Sequence, residues 1–374
     1  MPLTPLQGWT IGVTADRRAD EQAELLRRRG ATVLHGPTMT TAYLGDDEHL
    51  RQATAAVVSN PPAYLVATTG IGVRAWLEAA QAWGMGPALI ASLAETRIMA
   101  RGPKAAAAVQ AGGLATWGRS PNERMDELVS LLLAEDLAGR RVVVQEYGAH
   151  SPELRAALEG AGAAVIEVPV YRWRLPDDPG PALRLVEAAC TGRAQAVTFT
   201  SAPAVHNLFA LAAGQGRADD LRRAFNGGVV AACIGSVCAG GAHQEGVTDT
   251  LEPSVGRLGL LVRALSDHFG QRRRTLVLNG CPVVAQGSTL LVGDDTVDLP
   301  PREFAVFDAL VQRPGAVVSR PSLLERGWGS PGADPRPLEA TVSRLRRRLG
   351  PCGSALVAVA GRGYRLDTDG GAGS

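Results

Sequence analysis

The chain has 374 residues, 45% hydrophobic and 20% charged, which at about 100–200 residues per domain predicts two or three domains, each with its own core. Thirty-eight basic against 37 acidic residues leave a formal charge of +1, excluding a wholly basic chromatin-type protein and an acidic disordered tail, so any nucleic-acid surface is local. Five scattered cysteines do not make a secreted disulfide framework, and there is neither a leader-like N-terminus nor an apolar run near the roughly 18 residues of a membrane span. The expected location is the cytoplasm, with no membrane partner.

The first predicted elements are an apolar strand in WTIGVTA, a helix with leucines and alanines at helical spacing, Gly30, and a second strand in ATVLHGP, which together form a βαβ unit. The same unit recurs from RVVVQE to AAVIEVPV. Residues 10–38 match residues 142–170 without gaps at an offset of 132, pairing Leu26 with Leu158, Gly30 with Gly162 and Pro37 with Pro169. The offset then pairs the stretch from Ala63 with that from Gln195, and a slip of one residue aligns Gly102 with Gly235. Further strand-to-helix passages are expected at 65–80, 98–110, 196–212 and 229–239. This alternation predicts an α/β fold of two similar lobes, each a parallel sheet covered by helices on both faces.

These residues resemble the uroporphyrinogen-III synthases over about residues 8–268. The resemblance rests on the repeated βα starts, the VPVYR run at 168–172, the FTS triplet at 199–201 and the IGSVCA turn at 234–239. It implies two lobes joined by a two-stranded connector, with the chain crossing near Gly36 to Met39 and Pro169 to Trp173. One lobe is then 8–36 plus 174–268 and the other 40–169. In parallel α/β sheets, strand C-termini meet helix N-termini, whose free N–H groups favour anions. The loops there carry Thr14, Thr68, Thr69, Gly70, Gly102, Thr200, Ser201, Gly235 and Ser236, small residues that suit an anionic or tetrapyrrole ligand; the family substrate is an octacarboxylate tetrapyrrole. Tyr171 stands where the family offers a proton-transfer tyrosine. The family's threonine-arginine pair after the first strand is here Thr14-Ala15, the first-lobe counterpart of FTS is Ala67-Thr68-Thr69, and Cys238 replaces a threonine of the last glycine turn.

Two other patterns read as structure. Gly70-Ile-Gly72-Val-Arg-Ala75 follows a strand and opens a helix as a dinucleotide fingerprint does, but no ribose-binding acid follows at the expected spacing. Cys233 and Cys238 lack the second ligand pair of a metal site, so burial is expected for both, and no metal or cofactor is assigned.

A boundary is expected at HFGQRRR, near 268–274. Residues 1–270 carry a net charge of −3 and residues 271–374 a net charge of +4. RPLEATVSRLRRRLG places Leu338, Val342, Leu345 and Leu349 on one helical stripe, with Thr341, Arg344, Arg347 and Arg348 assigned to the opposite face. Guanidinium groups so displayed suit the major groove, where they bridge guanine O6 and N7 or hold phosphates. Residues 274–367 resemble the OmpR/PhoB-type winged-helix DNA-binding domain in five ordered landmarks: Glu303-Phe304, the RPGAVVSR turn, Trp328, the SRLRRRLG run and the GRGYRL hairpin. The resemblance implies phosphate contacts at Arg336 and Arg347, base-edge contacts at Thr341 and Arg344, and a wing contact at Arg362. It also implies RNA polymerase contact at 329–335 and dimerisation on tandem half-sites of promoter DNA.

Such winged helices usually follow a phosphorylated receiver, whose acidic cluster has no counterpart around Val13. The expectation is therefore a one-component transcription regulator with a synthase-like sensor or dimerisation domain. The fusion resembles actinobacterial regulators of nitrate and nitrite assimilation. The alternative is an active uroporphyrinogen-III synthase, cyclising hydroxymethylbilane, with a DNA-binding tail.

Overall fold

Strands of four residues with every side chain buried need cover on both faces, and the chain supplies it by following nearly every such strand with a helix. The computed structural model describes residues 2–45, 47–121, 123–146, 148 and 152–369. The first 39 residues give β1 (Thr10–Val13), α1 (Ala19–Arg27) and β2 (Thr32–His35). Residues 40–174 give β3 (Thr40–Tyr43), α2 (Glu48–Ser59), β4 (Tyr64–Ala67), α3 (Gly70–Ala82), α4 (Gly86–Leu93), β5 (Arg97–Ala100), α5 (Pro103–Ala111), β6 (Thr116–Arg119), α6 (Met125–Leu133), β7 (Arg141–Gln145), α7 (Pro152–Gly160), β8 (Ala164–Val168) and β9 (Tyr171–Arg174). Then follow α8 (Gly180–Cys190), β10 (Ala196–Phe199), α9 (Ala202–Ala213), α10 (Ala218–Asn226), β11 (Val230–Cys233), α11 (Ser236–Gln244), β12 (Thr250–Leu251) and α12 (Leu258–Gly270). The remainder gives β13 (Arg274–Leu278), β14 (Cys281–Gln286), β15 (Thr289–Val292), β16 (Asp295–Asp298), α13 (Pro301–Val311), β17 (Val318–Ser319), α14 (Arg320–Trp328), α15 (Arg336–Arg348), a 3-10 turn (Gly350–Ala355), β18 (Leu356–Val359) and β19 (Gly363–Leu366).

Two compact units result, Thr40–Arg174 and Met1–Met39 with Leu175–Ser374. In the second, β12-β11-β10-β1-β2 form a parallel sheet; in the first, β6-β5-β4-β7-β8 form another with the equivalent order. At the repeat offset of 132, β4 falls on β10 and the start of α3 on the start of α9. The repeat also explains the discontinuity: β1 and β2 correspond to β7 and β8 of the other lobe, so each lobe takes half of each repeat. β3 and β9 pair antiparallel, Thr40 opposite Arg174 and Tyr43 opposite Tyr171.

The core of the Thr40–Arg174 lobe gathers Trp76, Leu65, Ile98, Val143 and Leu89 on one side of its sheet and Val66, Val142, Leu128 and Leu132 on the other. In the other lobe Trp9 stacks on Phe269 of α12 with ring centroids 4.4 Å apart, a pairing that adds about 0.5–1.5 kcal/mol to the area it buries.

Residues 274–298 form a four-stranded antiparallel sheet, β13-β14-β15-β16, which the sequence reading did not resolve. Its three turns are two residues long, with Asn279 (φ 48°) and Gly280 (φ 76°) in the first. Positive φ at both positions is the hairpin geometry that an Asn-Gly pair favours, so the signal was present. This sheet joins the adjoining lobe through backbone: Ser288 N–H donates to Gly8 O at 2.8 Å, and Gln286 Nε2 donates to Thr4 O at 2.7 Å and Gln7 O at 3.0 Å. Gly8 sits at φ +78°, where a Cβ would lie 2.3 Å from Gln286 O. α13, α14 and α15 with the β17-β19-β18 wing complete a core of Phe307, Leu310, Leu323, Leu338, Leu345 and Leu366.

Candidate functional site

The C-terminal region holds the densest arrangement of functional side chains. Leu338, Val342 and Leu345 are buried and set how α15 lies on its domain. The outward face carries Arg336, Ala340, Ser343, Arg344 and Arg347, with Arg348 exposed at its border. Thr341 does not belong to it. Its side chain is 0% exposed and its hydroxyl donates to Pro337 O at 2.7 Å, which corrects its assignment to the base-reading face. Being three residues after Leu338 and four before Leu345, it borders the apolar stripe. Ala340 and Ser343 occupy the exposed positions that sequence reasoning left out.

The arginines divide into two kinds. Arg344 Nε donates to Glu303 Oε1 at 3.1 Å and a terminal nitrogen donates to Thr341 Oγ1 at 2.9 Å. Arg348 Nε lies 2.7 Å from Glu303 Oε2. The Glu303 side chain, in the first turn of α13, is 3% exposed, so one buried carboxylate fixes two guanidinium groups that keep about half their surface open. Arg336 and Arg347 are exposed and have no ion-pair partner among the described residues. The structure thus separates guanidinium groups held by a carboxylate, suited to planar recognition, from exposed ones without an ion pair among the described residues, suited to phosphate. Arg362 is exposed at the tip of the β18–β19 hairpin, its N–H bonded to Val359 O at 3.0 Å, between Gly361 and Gly363, both at positive φ. The 329–335 segment starts at Gly329, which ends α14 in the left-handed conformation at φ 75°.

The loop residues of the two α/β lobes prove unequal. Thr14 and Thr68 are buried, and their hydroxyls donate to Thr198 O at 2.8 Å and Gln145 O at 2.7 Å. They staple neighbouring strands and present no hydroxyl to a ligand, a correction to their expected place in the site. Gly70 and Gly102 are buried as well. A Cβ on Gly70 would lie 2.2 Å from Lys104 O and one on Gly72 2.1 Å from Gln145 Nε2, so packing accounts for the glycines of the fingerprint-like run. Thr69 caps α3, accepting from Gly72 N–H at 3.1 Å, with its hydroxyl 3.3 Å from that of Tyr171. Tyr171 is 2% exposed, its ring beside Tyr43 and Trp173.

In the other lobe Thr200, Ser201 and Gly235 are half-buried and Ser236 is exposed. α9 and α11 pack together after adjacent strands, and neither N-terminus is capped by a side chain. Their uncapped N–H groups carry the partial positive charge that attracts an anion. Cys233 and Cys238 are buried in this turn as free thiols; the Cys238 hydrogen bond and then burial push the Cys233 thiol far above its ordinary range. Among the described residues no cluster of His, Cys, Asp or Glu could hold a metal, and no helix is long and apolar enough to cross a membrane.

Known proteins divide the chain in the same way. The family model of uroporphyrinogen-III synthase HemD matches residues 20–263, and that of the transcriptional regulatory protein C-terminal domain matches residues 294–366. The crystal structure of a mutant uroporphyrinogen III synthase from the extremely thermophilic bacterium Thermus thermophilus superposes with a TM-score of 0.57 at 31% identity, over 69% of this chain and 99% of that one. An uncharacterized Bacillus subtilis protein, YjjA, is 25% identical over 71% of this chain and 98% of its own length. The Streptomyces coelicolor transcriptional regulatory protein CutR is 44% identical over 72 residues, 19% of this chain and 32% of CutR. The chain therefore belongs to the uroporphyrinogen-III synthase HemD family, fused at its C-terminal end to a winged-helix domain of the OmpR/PhoB transcriptional-regulator type.

Proposed function

We propose that the protein is a one-component transcription regulator: α15 enters the major groove of promoter DNA, and the HemD-like lobes serve as a sensor for an anionic or tetrapyrrole ligand. The observation that carries this reading is the exposed guanidinium face of α15, two of whose arginines are held by the buried Glu303 carboxylate. A carboxylate spent on ordering arginines that point to solvent makes sense when those arginines meet a partner of fixed geometry. Fluorescence anisotropy with the protein's own promoter tests it. Arg344→Ala is expected to cost about 1–3 kcal/mol of specific binding, while Arg347→Ala weakens binding to all sequences alike and lowers the salt slope by about one. Equal loss on specific and random DNA in both variants would refute base reading by Arg344.

The uncapped N-termini of α9 and α11, with Thr200, Ser201, Gly235 and Ser236, and the loops of Thr69, Gly70 and Gly102 are the places where such a ligand would meet the lobes. Binding on DNA is as a dimer on tandem half-sites, with the 329–335 loop toward RNA polymerase. The regulon proposed is that of nitrate and nitrite assimilation; unchanged transcript levels of those genes in a deletion strain would remove it.

A second reading, retained synthase turnover, is favoured by family membership and by Tyr171, whose hydroxyl lies near Thr69 at the N-terminus of α3. It requires type III uroporphyrinogen from hydroxymethylbilane above the spontaneous type I background, and its loss in Tyr171→Phe.

A further inference from the structure

A cavity of about 550 Å³ lies where the β1-β2 edge of the lobe meets α13 and α14, a size typical of small-molecule sites. It is not among the loops assigned to the anionic ligand, which stand at the strand C-termini. Thr10 and Thr32, at the start of β1 and β2, line it, so it opens at the opposite end of the same sheet. Leu34, Leu299 and Phe304 form its apolar walls, and Arg193, Asp308 and Arg326 its charges.

The charges are arranged for exchange. Asp308 lies 3.5 Å from Arg326 and accepts from Gln312 Nε2 at 2.7 Å, while Arg326 donates to Gln312 at 3.1 Å. Outside that closed set Arg193, contributed by the lobe, is the cation whose partners are exchangeable: its Nε donates to Thr191 at 3.1 Å, and its counter-ion Glu187, 3.0 Å away, is 54% exposed. Exposed pairs of that kind contribute little and are readily displaced. The lining thus carries two guanidinium groups and one carboxylate, and an anion that displaces the exposed Glu187 from Arg193 meets one positive charge beside an apolar wall. Burial raises the Asp308 carboxyl above its ordinary range despite Arg326, although both side chains keep some of their surface open.

We propose that this cavity is a binding site for a small organic anion, an aromatic body of roughly 20–30 non-hydrogen atoms with one acidic group, held between Arg193 and the Phe304 face of α13. An octacarboxylate tetrapyrrole is excluded by charge, so this site is distinct from that of the HemD-like loops. Phe304 faces the cavity while its neighbour Glu303 holds Arg344 and Arg348. An occupant that moves α13 therefore moves the DNA-facing arginines; this consequence rests on the regulator reading, whereas the binding does not. Such coupling requires different affinities for the free and DNA-bound forms.

The test uses 8-anilinonaphthalene-1-sulfonate, an aromatic monoanion of this size, titrated calorimetrically into the full chain. One site per chain is expected, weakened at least tenfold by Arg193→Ala, which removes only exposed interactions, and abolished by Ala305→Trp, which fills the cavity. No saturable site, or one insensitive to Arg193→Ala, overturns the proposal, whether or not the tryptophan variant folds. Saturating ligand is further expected to shift promoter affinity at least threefold in the wild-type chain. A bound ligand without that shift overturns the coupling alone. A chain that binds the ligand as expected but never binds DNA overturns the regulator reading and leaves the site standing.

Discussion

Thr341 and Glu303 show how a side chain's role turns on where it donates or accepts. The sequence placed Thr341 among arginines and so on the DNA face, but its hydroxyl bonds back to the Pro337 carbonyl inside the helix's own turn, a use that spacing does not reveal. Thr341→Val also removes one of the two bonds that order Arg344; it is therefore expected to weaken promoter binding by less than Arg344→Ala does, to leave random-sequence binding unchanged, and to shift stability by no more than about 1 kcal/mol, measured by anisotropy and urea denaturation. Glu303→Gln removes the counter-charge of two half-exposed arginines. It is expected to cost about 1–3 kcal/mol of stability, less than a fully buried pair would, and to weaken specific binding more than random-sequence binding. Asp308 has a distinct pH signature. Its carboxyl is raised by burial, against Arg326, Arg272, Arg274 and the Gln312 amide, all of which lower it. A raised acid is stabilising when protonated and loses that contribution as pH rises through its folded-state value. Asp308→Asn should therefore raise the thermal midpoint at pH 7, by a modest amount because the site is half open, and the gain should vanish below about pH 4.

At the scale of elements, hydrophobic runs and their repetition carried the reading. β4, β10 and β11 lie where the repeat put them, because four consecutive buried residues admit few alternatives in a parallel sheet. The loops were less legible. Thr14 and Thr68 match the small hydroxyl residues of a ligand loop in composition, but each is drawn inward by a neighbouring strand's carbonyl, and strand order is not written in local sequence. The α3 start makes the same point for glycine. Gly72→Ala would drive a methyl into the Gln145 amide, whose carbonyl oxygen accepts from Thr68 and from Thr69 N–H at 3.1 Å and whose nitrogen donates to Glu146 O. A loss of about 1–3 kcal/mol is expected by chemical denaturation, together with weakened hydrogen-exchange protection at β7; an unperturbed midpoint would mean that Gln145 is free to turn away.

For the whole molecule, the two family resemblances read from ordered landmarks correspond to the two regions that known proteins match, whereas the junction between them was invisible. It is made by backbone groups of Gly8 and by Gln286 reaching Thr4 and Gln7, contacts across 279 to 282 positions that no local pattern announces. Gln286→Ala is expected to cost about 1–2 kcal/mol at this junction and to speed proteolysis near Arg272 and Arg273, while leaving the HemD-like sheets protected from hydrogen exchange. Equal protease resistance in the two proteins would show that the segment from 274 is anchored elsewhere.

The division of each repeat between two lobes also dictates a timetable for synthesis. β1 and β2 emerge from the ribosome first, yet their neighbour β10 comes about 160 residues later, a delay of roughly 8–30 s at ordinary elongation rates. Thr40–Arg174, whose strands are contiguous, can close its sheet during that interval. The nascent N-terminus meanwhile carries the apolar strand of Ile11 and Val13 with β2 and α1 as its only cover, its β10 edge unpaired and its α12 packing absent, and it is this waiting segment that a holding chaperone would meet.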